Sequence, residues 1–234
     1  MEKVICLLWA HGNTARDQFN AALLTGLATD LRAAGASAIR MNLEDGISAQ
    51  AAHLRQVCSP AQHDAAVQFW LPSANHLFRS RIDAALSRYS AGWCGWVVAE
   101  STIIANSACP PAPGARTDGF AQLAFLTIPD RLSRAQWLAL WQDSHTQVAI
   151  ETQANFEYVQ NVIVRPLTAD GPDYAAIVEE CFPVAALQDP LAFFDAEGDR
   201  AKFERNLGRM MESCDRFIDR GTIDVVPTGQ YHPQ

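Results

Sequence analysis

Apolar runs separated by longer amphipathic stretches divide the chain into two halves with the same order of predicted elements. In the first half, the pattern predicts strands at 4–10, 36–43, 65–71 and 93–104, and helices at 14–34 and 75–89. In the second half, it predicts strands at 121–128, 156–166, 174–182 and 222–226, a helix at 133–149 and a helical region at 183–217. Both halves therefore read β-α-β-β-α-β.

Similar residues at an offset of 118 positions support this repeat. Each first helix is predicted to begin with a capping box, at Thr14 in one half and at Ser133 in the other. Both helices also carry an inward stripe with i, i+4, i+8 spacing. The two stripes align as Phe19, Leu23 and Leu27 with Trp137, Trp141 and His145.

The repeat predicts an α+β fold built from two ferredoxin-like units. Helices cover one face of each sheet, and we expect the two sheets to cover each other's remaining apolar faces within one chain. The segment 107–119, rich in Pro and Gly, is the predicted connection. The predicted organisation is therefore a diverged half at 1–106, a linker at 107–119, and a half at 120–234 that carries the candidate site.

Composition and charge narrow the class of protein. Apolar residues make up 49% of the 234 positions, which is enough for a large core, and the formal net charge is −8. The 18 Lys and Arg residues are scattered, so we expect no nucleic-acid partner. Glu100 and several prolines interrupt the longest apolar stretch, so no membrane span is expected. Six scattered cysteines without a C-x-x-C pair, and no signal peptide, favour a cytoplasmic protein with free thiols.

The sequence contains no motif for a cofactor. G-x-G does not occur, so neither the dinucleotide-binding nor the phosphate-binding loop is present. His53, Cys58 and His63 are evenly spaced, but nothing nearby completes a set of metal ligands. We therefore expect neither a cofactor nor a bound metal.

His145 is the strongest candidate for chemistry. It lies on a helix face that otherwise carries tryptophan and aliphatic residues, and its counterpart Leu27 shows that the fold needs no imidazole there. The next strand carries Tyr158, Gln160 and Asn161. Because successive strand residues face opposite sides, Tyr158 and Asn161 cannot both face one cleft on a regular strand, and we favour Tyr158.

Two adjacent carboxyl groups, Glu179 and Glu180, lie in a β-rich run, so at least one should face inward. A buried carboxylate needs a partner, and Arg165 on the neighbouring strand is the candidate for a structural ion pair. A role for Glu179 in binding the substrate is the other interpretation.

A local pattern in the second half resembles the EthD family. Residues 134–145 read RAQWLALWQDSH and residues 158–161 read YVQN, similar to the family's helix ending in W-x-x-x-H and its strand Y-V-Q-N. Residues 179–182 resemble the family's third strand E-L-W-F, with Cys181 in place of the tryptophan. The resemblance covers most of residues 120–230, and the first half reads as a diverged copy that lacks both motifs.

The resemblance implies a dimeric α+β barrel, here formed by a tandem repeat in one chain. Relatives include methylmuconolactone isomerases, and similar barrels serve polyketide cyclases. By resemblance, His145 and Tyr158 line the active cleft as catalytic groups. The sequence after His145 departs from the family's H-A-P-L, so the shape of the pocket should differ. Further candidates for substrate contact are Asn161, Gln160, Trp141 and Glu179.

Three functions follow as expectations. The first is a cofactor-independent isomerase of an unsaturated or lactone-type carboxylic acid from aromatic catabolism, with His145 as proton shuttle and Tyr158 as hydrogen-bond donor. The second is a cyclase, dehydratase or decarboxylase acting on a polyketide-like aromatic. The third is a non-catalytic protein that binds a small molecule. The expected partner is a small organic acid, and a homodimer of the whole chain stays open.

Overall fold

The computed structural model describes residues 1–112 and 114–234, and the strands in these ranges close into one antiparallel barrel. Pro113, part of the predicted linker, lies outside the described residues. The strands are β1 (Glu2–Trp9), β2 (Ser37–Leu43), β3 (Ala65–Leu71), β4 (Gly92–Ile104), β5 (Phe120–Leu126), β6 (Glu157–Pro166), β7 (Ala176–Phe182) and β8 (Asp224–Tyr231). Their order around the barrel is β1-β3-β2-β8-β5-β7-β6-β4, and β4 pairs with β1.

Helices pack on the outside of the barrel. They are α1 (Arg16–Ala22), α2 (Ala28–Ala33), α3 (Ser80–Tyr89), α4 (Arg134–Leu138), α5 (Thr146–Thr152), α6 (Pro190–Phe193) and α7 (Arg200–Asp215). A π-helical segment, Leu23–Leu27, joins α1 to α2, and a second one, Ala139–His145, joins α4 to α5. Short 3₁₀ turns cover Ser48–Leu54 and Val184–Leu187. None of the described helices is long and apolar enough to cross a membrane.

The two halves of the chain contribute equivalent four-stranded sheets. Within each half, the fourth strand pairs with the first, the first with the third, and the third with the second. The sheets join edge to edge through β2–β8 and β4–β6. The predicted α+β class is confirmed, and the strands of one chain are sufficient to close the barrel.

Element boundaries agree with the sequence pattern to within a few residues, with three exceptions. Thr14 does not cap the first helix, because its hydroxyl donates to the carbonyl of His11 instead, whereas the capping box at Ser133 is present. Helix α3 begins only at Ser80, since Asn75 forms a turn with the amides that follow it. Strand β8 continues through Pro227 to Tyr231, beyond the predicted end at residue 226.

Alternate residues of the strands face the barrel interior. Its apolar part is one cluster with members from both halves, including Ile5, Leu7, Trp96, Leu123, Phe125 and Ile177. At one end of the barrel the inward-facing residues are polar. The buried polar residues there are Lys3, Asn42, Gln68, Asn161, Glu179 and Gln230. The opposite parity of each strand faces the helices, where each half has its own apolar layer.

Candidate functional site

A cavity of about 480 Å³ lies in the second half, between the outer face of its sheet and the covering helices. Strands β5, β7 and β8 supply one wall, α7 and the π-helical segment supply the opposite wall, and residues 186–194 line one end. Most lining side chains are apolar, among them Leu126, Val178, Phe193, Met210 and Val225. The site is therefore a sheet-to-helix cleft outside the barrel, in a largely apolar setting that is typical of small-molecule sites.

His145 lines this cavity from the last residue of the π-helical segment 139–145. A π-helical turn shifts the register of the residues that follow it, and such turns are frequent at functional sites. The imidazole is 9% exposed, and its Nδ1 lies 3.0 Å from the hydroxyl oxygen of Ser213. Burial, together with the charge of Arg216, lowers the pKa of His145 to about 4, so the ring is uncharged at neutral pH.

Tyr158 lines the same cavity from β6, and its side chain is almost fully buried. The side-chain amide of Gln160 donates to the phenol oxygen over 2.9 Å. Burial raises the pKa of Tyr158 well above its usual range, and the charge of Glu180 adds to this effect. The phenol therefore keeps its proton and is able to donate a hydrogen bond at any physiological pH.

Gln160 and Trp141 support this pair in different ways. Trp141 forms part of the cavity wall and packs on Trp137, with ring centroids 5.0 Å apart. Gln160 does not line the cavity, but its amide reaches both Tyr158 and the hydroxyl of Thr146, over 2.9 and 2.8 Å. Gln160 is thus placed to position Tyr158.

Asn161 and Glu179 lie on the other face of the sheet, inside the barrel. Asn161 accepts from the ammonium group of Lys3 over 2.8 Å and donates to the carbonyl of Ile177. The structure therefore separates both residues from the cavity by the thickness of the sheet. This arrangement confirms that Tyr158 and Asn161 face opposite sides.

The predicted partner of Glu179 is wrong. The carboxylate pairs with Arg40 of β2 over 2.8 Å, whereas Arg165 lies 3.7 Å from Glu2. Arg40 comes from the other half of the chain, and only closure of the barrel brings it to β7. Sequence neighbourhood alone favoured Arg165, because β6 and β7 are adjacent.

Glu180 is the acidic group of the cavity, and it is absent from the predicted site. It is the cross-strand neighbour of Tyr158 on one side and of Gln122 on the other, so these three lining residues form a row across the sheet. Asn155 donates to its carboxyl group over 3.0 Å. Burial raises the pKa of Glu180 to about 7, which the hydrogen bond from Asn155 only partly opposes. Adjacent strand residues face opposite sides of a sheet, so with Glu179 inside the barrel the sequence pattern would have placed Glu180 on the side of the helices.

The residues of the evenly spaced trio have separate surroundings. His53 lines one end of the cavity, Cys58 donates its thiol hydrogen to Asp224 over 3.1 Å, and His63 packs edge-on against Phe125. Within residues 1–112 and 114–234, no group of three or more His, Cys, Asp and Glu side chains could hold a metal ion.

Solved structures with a similar fold support the architecture. An anthrone oxidase-like protein aligns with a TM-score of 0.54 and 11% identity, over 98% of this chain and 90% of that one. A monooxygenase candidate from Lactobacillus acidophilus NCFM aligns with a TM-score of 0.50 and 11% identity, over 98% and 93% of the two chains. At this identity the likeness concerns the fold alone.

Sequence comparison finds a match to a known type of domain in the second half of the chain. No curated protein matches the chain in sequence. The family model of the EthD domain matches residues 129–221, a range that contains His145, Tyr158, Gln160 and Glu180. The resemblance seen in the sequence is therefore confirmed: residues 129–221 match the EthD domain model.

Proposed function

We propose that this chain is an enzyme that moves a proton on a small organic molecule held in the cavity. The observation that carries the proposal is that one largely apolar cavity reaches His145 and Tyr158 together. The first candidate reaction is a cofactor-independent isomerisation of an unsaturated or lactone-type acid, as in the aromatic catabolism of the family's relatives.

His145 is the proposed proton shuttle. Its lowered pKa keeps the imidazole uncharged at neutral pH, and because Ser213 engages Nδ1, Nε2 is the nitrogen that we assign to the ligand. In the proposed step the C–H bond of an acidified carbon breaks and an N–H bond forms at Nε2. The electron pair moves onto the ligand's carbonyl oxygen, and the imidazolium returns the proton to a different carbon. No oxidant or reductant is needed.

Tyr158 is the proposed donor to the developing oxyanion. Its phenol stays protonated because burial raises the pKa, and Gln160 fixes its position. Hydrogen bonds to a developing charge are stronger in an apolar cleft than in water, because solvent screening is weak there. Tyr158 therefore supplies transition-state stabilisation, whereas His145 carries the proton.

A cyclase, dehydratase or decarboxylase acting on a polyketide-like aromatic is the second candidate. One observation favours it: no Lys or Arg is among the described residues that line the cavity. A carboxylate substrate would find no counter-ion there, whereas an uncharged aromatic would need none. A non-catalytic binding protein is the rival outside the enzymes, and a cavity open to His145 favours the enzyme over that rival.

We also infer that each half is a ferredoxin-like unit, with the boundaries 1–106 and 120–234. The support is the element order β-α-β-β-α-β and the equivalent strand order in both halves. The π-helical segments add to it, since Leu27 and His145 each end one of them.

Solvent deuterium incorporation tests the proposed reaction. Candidate muconolactone-type acids and uncharged aromatic ketones are incubated in D₂O with the wild type and with His145→Leu, Tyr158→Phe and His76→Ala. We expect incorporation by the wild type and a loss of about 100-fold or more in His145→Leu and Tyr158→Phe. His145→Leu should fold, because its counterpart Leu27 is fully buried in the first-half core.

The exposed residue His76 provides the matched control, and its variant should keep full activity. Product analysis separates isomerisation from ring closure or loss of carbon dioxide. Wild-type rates in both His145→Leu and Tyr158→Phe would contradict the proposed roles. Binding without incorporation for every candidate compound would instead identify a binding protein.

A further inference from the structure

Two neighbouring carboxyl groups of β7 have opposite surroundings. Glu179, inside the barrel, accepts hydrogen bonds from Arg40, Asn42, Gln68 and Gln230, all between 2.7 and 2.9 Å. Glu180, facing the cavity, accepts from Asn155. A buried carboxylate with a single neutral donor is held in its charged form at a high cost.

No Lys or Arg is among the described residues that line the cavity with Glu180. The titratable groups that line it are Tyr158 of β6, Cys214 of α7, His145 of the π-helical segment, and His53 of the 3₁₀ turn at one end. Burial holds the imidazole of His145 neutral and raises the pKa of Cys214 to about 12, with the charge of Glu180 adding to the effect on the thiol. The cavity can therefore acquire negative charge at Glu180, while no lysine or arginine among the described lining residues neutralises that charge.

We propose that Glu180 makes the cavity select uncharged ligands, and that a carboxylate ligand enters only when Glu180 is protonated. This inference names the ligand class of the cavity on which the proposed function rests, and it favours an uncharged aromatic over an organic acid. Two unit charges about 5 Å apart at an effective dielectric constant of about 20 repel enough to weaken binding by about 100-fold.

The dependence on pH follows from the same residue. Burial raises the pKa of Glu180 to about 7, so the group is protonated in acid and ionised in mild alkali. Above pH 7, the binding free energy of a carboxylate ligand is reduced by the free energy needed to protonate Glu180. We expect its affinity to fall by about tenfold per pH unit above pH 7 and to level off below pH 6. An uncharged ligand of the same shape should bind equally at both extremes.

A matched pair of probes tests this inference without knowledge of the natural ligand. The probes are 2-naphthamide and 2-naphthoate, which have the same ring system and differ in charge. Dissociation constants are measured by calorimetry at pH 5.5, 7.0 and 8.5 with the wild type, Glu180→Gln and Glu197→Gln, the last a change at an exposed position. For the wild type and the control, we expect the naphthoate constant to rise at least tenfold between pH 5.5 and 8.5. The naphthamide constant should stay within twofold.

In Glu180→Gln, naphthoate binding should become independent of pH. Retained naphthamide binding shows that Glu180→Gln has an intact cavity. If Glu180→Gln does not fold, Glu180→Leu serves as the second variant. Equal wild-type affinity for both probes at pH 8.5, or an unchanged pH dependence in Glu180→Gln, would overturn the inference. Failure of naphthamide to bind the wild type would overturn it as well. If the probes behave as expected while no compound exchanges deuterium, only the proposed reaction fails.

Discussion

At the scale of single residues, the buried position of Glu180 destabilises the folded protein when its carboxyl group is ionised. Its pKa is raised by burial to about 7, so the folded state binds a proton more tightly than the unfolded state does. The stability associated with the protonated group is complete below the unfolded pKa of about 4.5, and it is lost as the pH rises toward 7. Above pH 7 the ionised, buried carboxylate lowers the free energy of unfolding by its full amount.

Glu180→Gln should therefore stabilise the protein in a pH-dependent way. The free energy of unfolding of the variant should exceed that of the wild type by on the order of 2–3 kcal/mol at pH 8. The two values should converge near pH 4.5. Urea unfolding at several pH values measures the difference, with Glu197→Gln as control. A difference that is constant across pH would show that Glu180 does not titrate in the folded protein.

The sequence predicted part of the candidate site for a clear reason. His145 interrupts an apolar stripe whose counterpart ends in Leu27, and a polar residue on an otherwise apolar face is visible in one chain. Strand alternation correctly separated Tyr158 from Asn161. It could not say which of Glu179 and Glu180 faces the cavity, because that depends on which face of β7 the helices cover. The sequence did not indicate Arg40 as the partner of Glu179, because Arg40 lies in the other half of the chain.

At the scale of elements, Asp224 fixes the segment 55–62 to the start of β8. Its carboxylate accepts from the phenol of Tyr174 over 2.6 Å, from the amide of Gln62 over 2.7 Å and from the backbone N–H of Cys58 over 3.0 Å. Burial alone would raise the pKa of Asp224, but these hydrogen bonds lower it well below the usual range. The anchored segment continues from the turn at Ser48–Leu54, which contributes His53 and Leu54 to the cavity.

Asp224→Asn should loosen this segment. The amide nitrogen cannot accept, so buried donors that face it lose their acceptor, at a cost of about 2–4 kcal/mol. Urea unfolding should show that loss. Trypsin should cleave after Arg55 faster in the variant than in the wild type, because the segment opens locally. Asp130→Asn, a change at an exposed position, is the control. Unchanged cleavage at Arg55 would mean that Asp224 does not hold the segment.

Element positions were predicted better than element ends. Hydrophobic periodicity located every strand of the barrel, because each strand is apolar on one or both faces. The ends depend on single hydrogen bonds that periodicity does not contain, such as the turn at Asn75 that delays α3. Pro227 lies inside β8 even though its residue type favours a strand end.

At the scale of the whole molecule, the polar end of the barrel connects the two halves. Glu179 from the second half accepts from Arg40, Asn42 and Gln68 of the first. Arg40 also pairs with Glu157 over 2.9 Å. Burial would raise the pKa of Glu179, yet the charge of Arg40 lowers it overall, so the ionised carboxylate stabilises the folded state above pH 4.

Glu179→Gln should destabilise the whole barrel and not one half. The change removes one of the two carboxylates that pair with the partly buried Arg40, which costs about 1–3 kcal/mol at pH 7. The gap between variant and wild type should narrow as the pH falls from about 4.5 toward 2, because the unfolded wild type then binds a proton at Glu179 that the folded state binds only at about pH 2. Urea unfolding followed by circular dichroism should show one transition in both proteins. Two separate transitions would contradict a single cooperative unit, and Glu197→Gln again serves as control.

The opposite faces of Glu179 and Glu180 make β7 intolerant of any change in length. A slip of one residue in its pairing with β5 and β6 would exchange the two carboxyl groups. Glu180 would then lie inside the barrel next to Arg40 and Lys3, and Glu179 would face the cavity without its hydrogen-bond donors. Insertions and deletions should therefore accumulate in the connections on either side of β7, while the strand itself keeps its seven residues through the divergence of related chains.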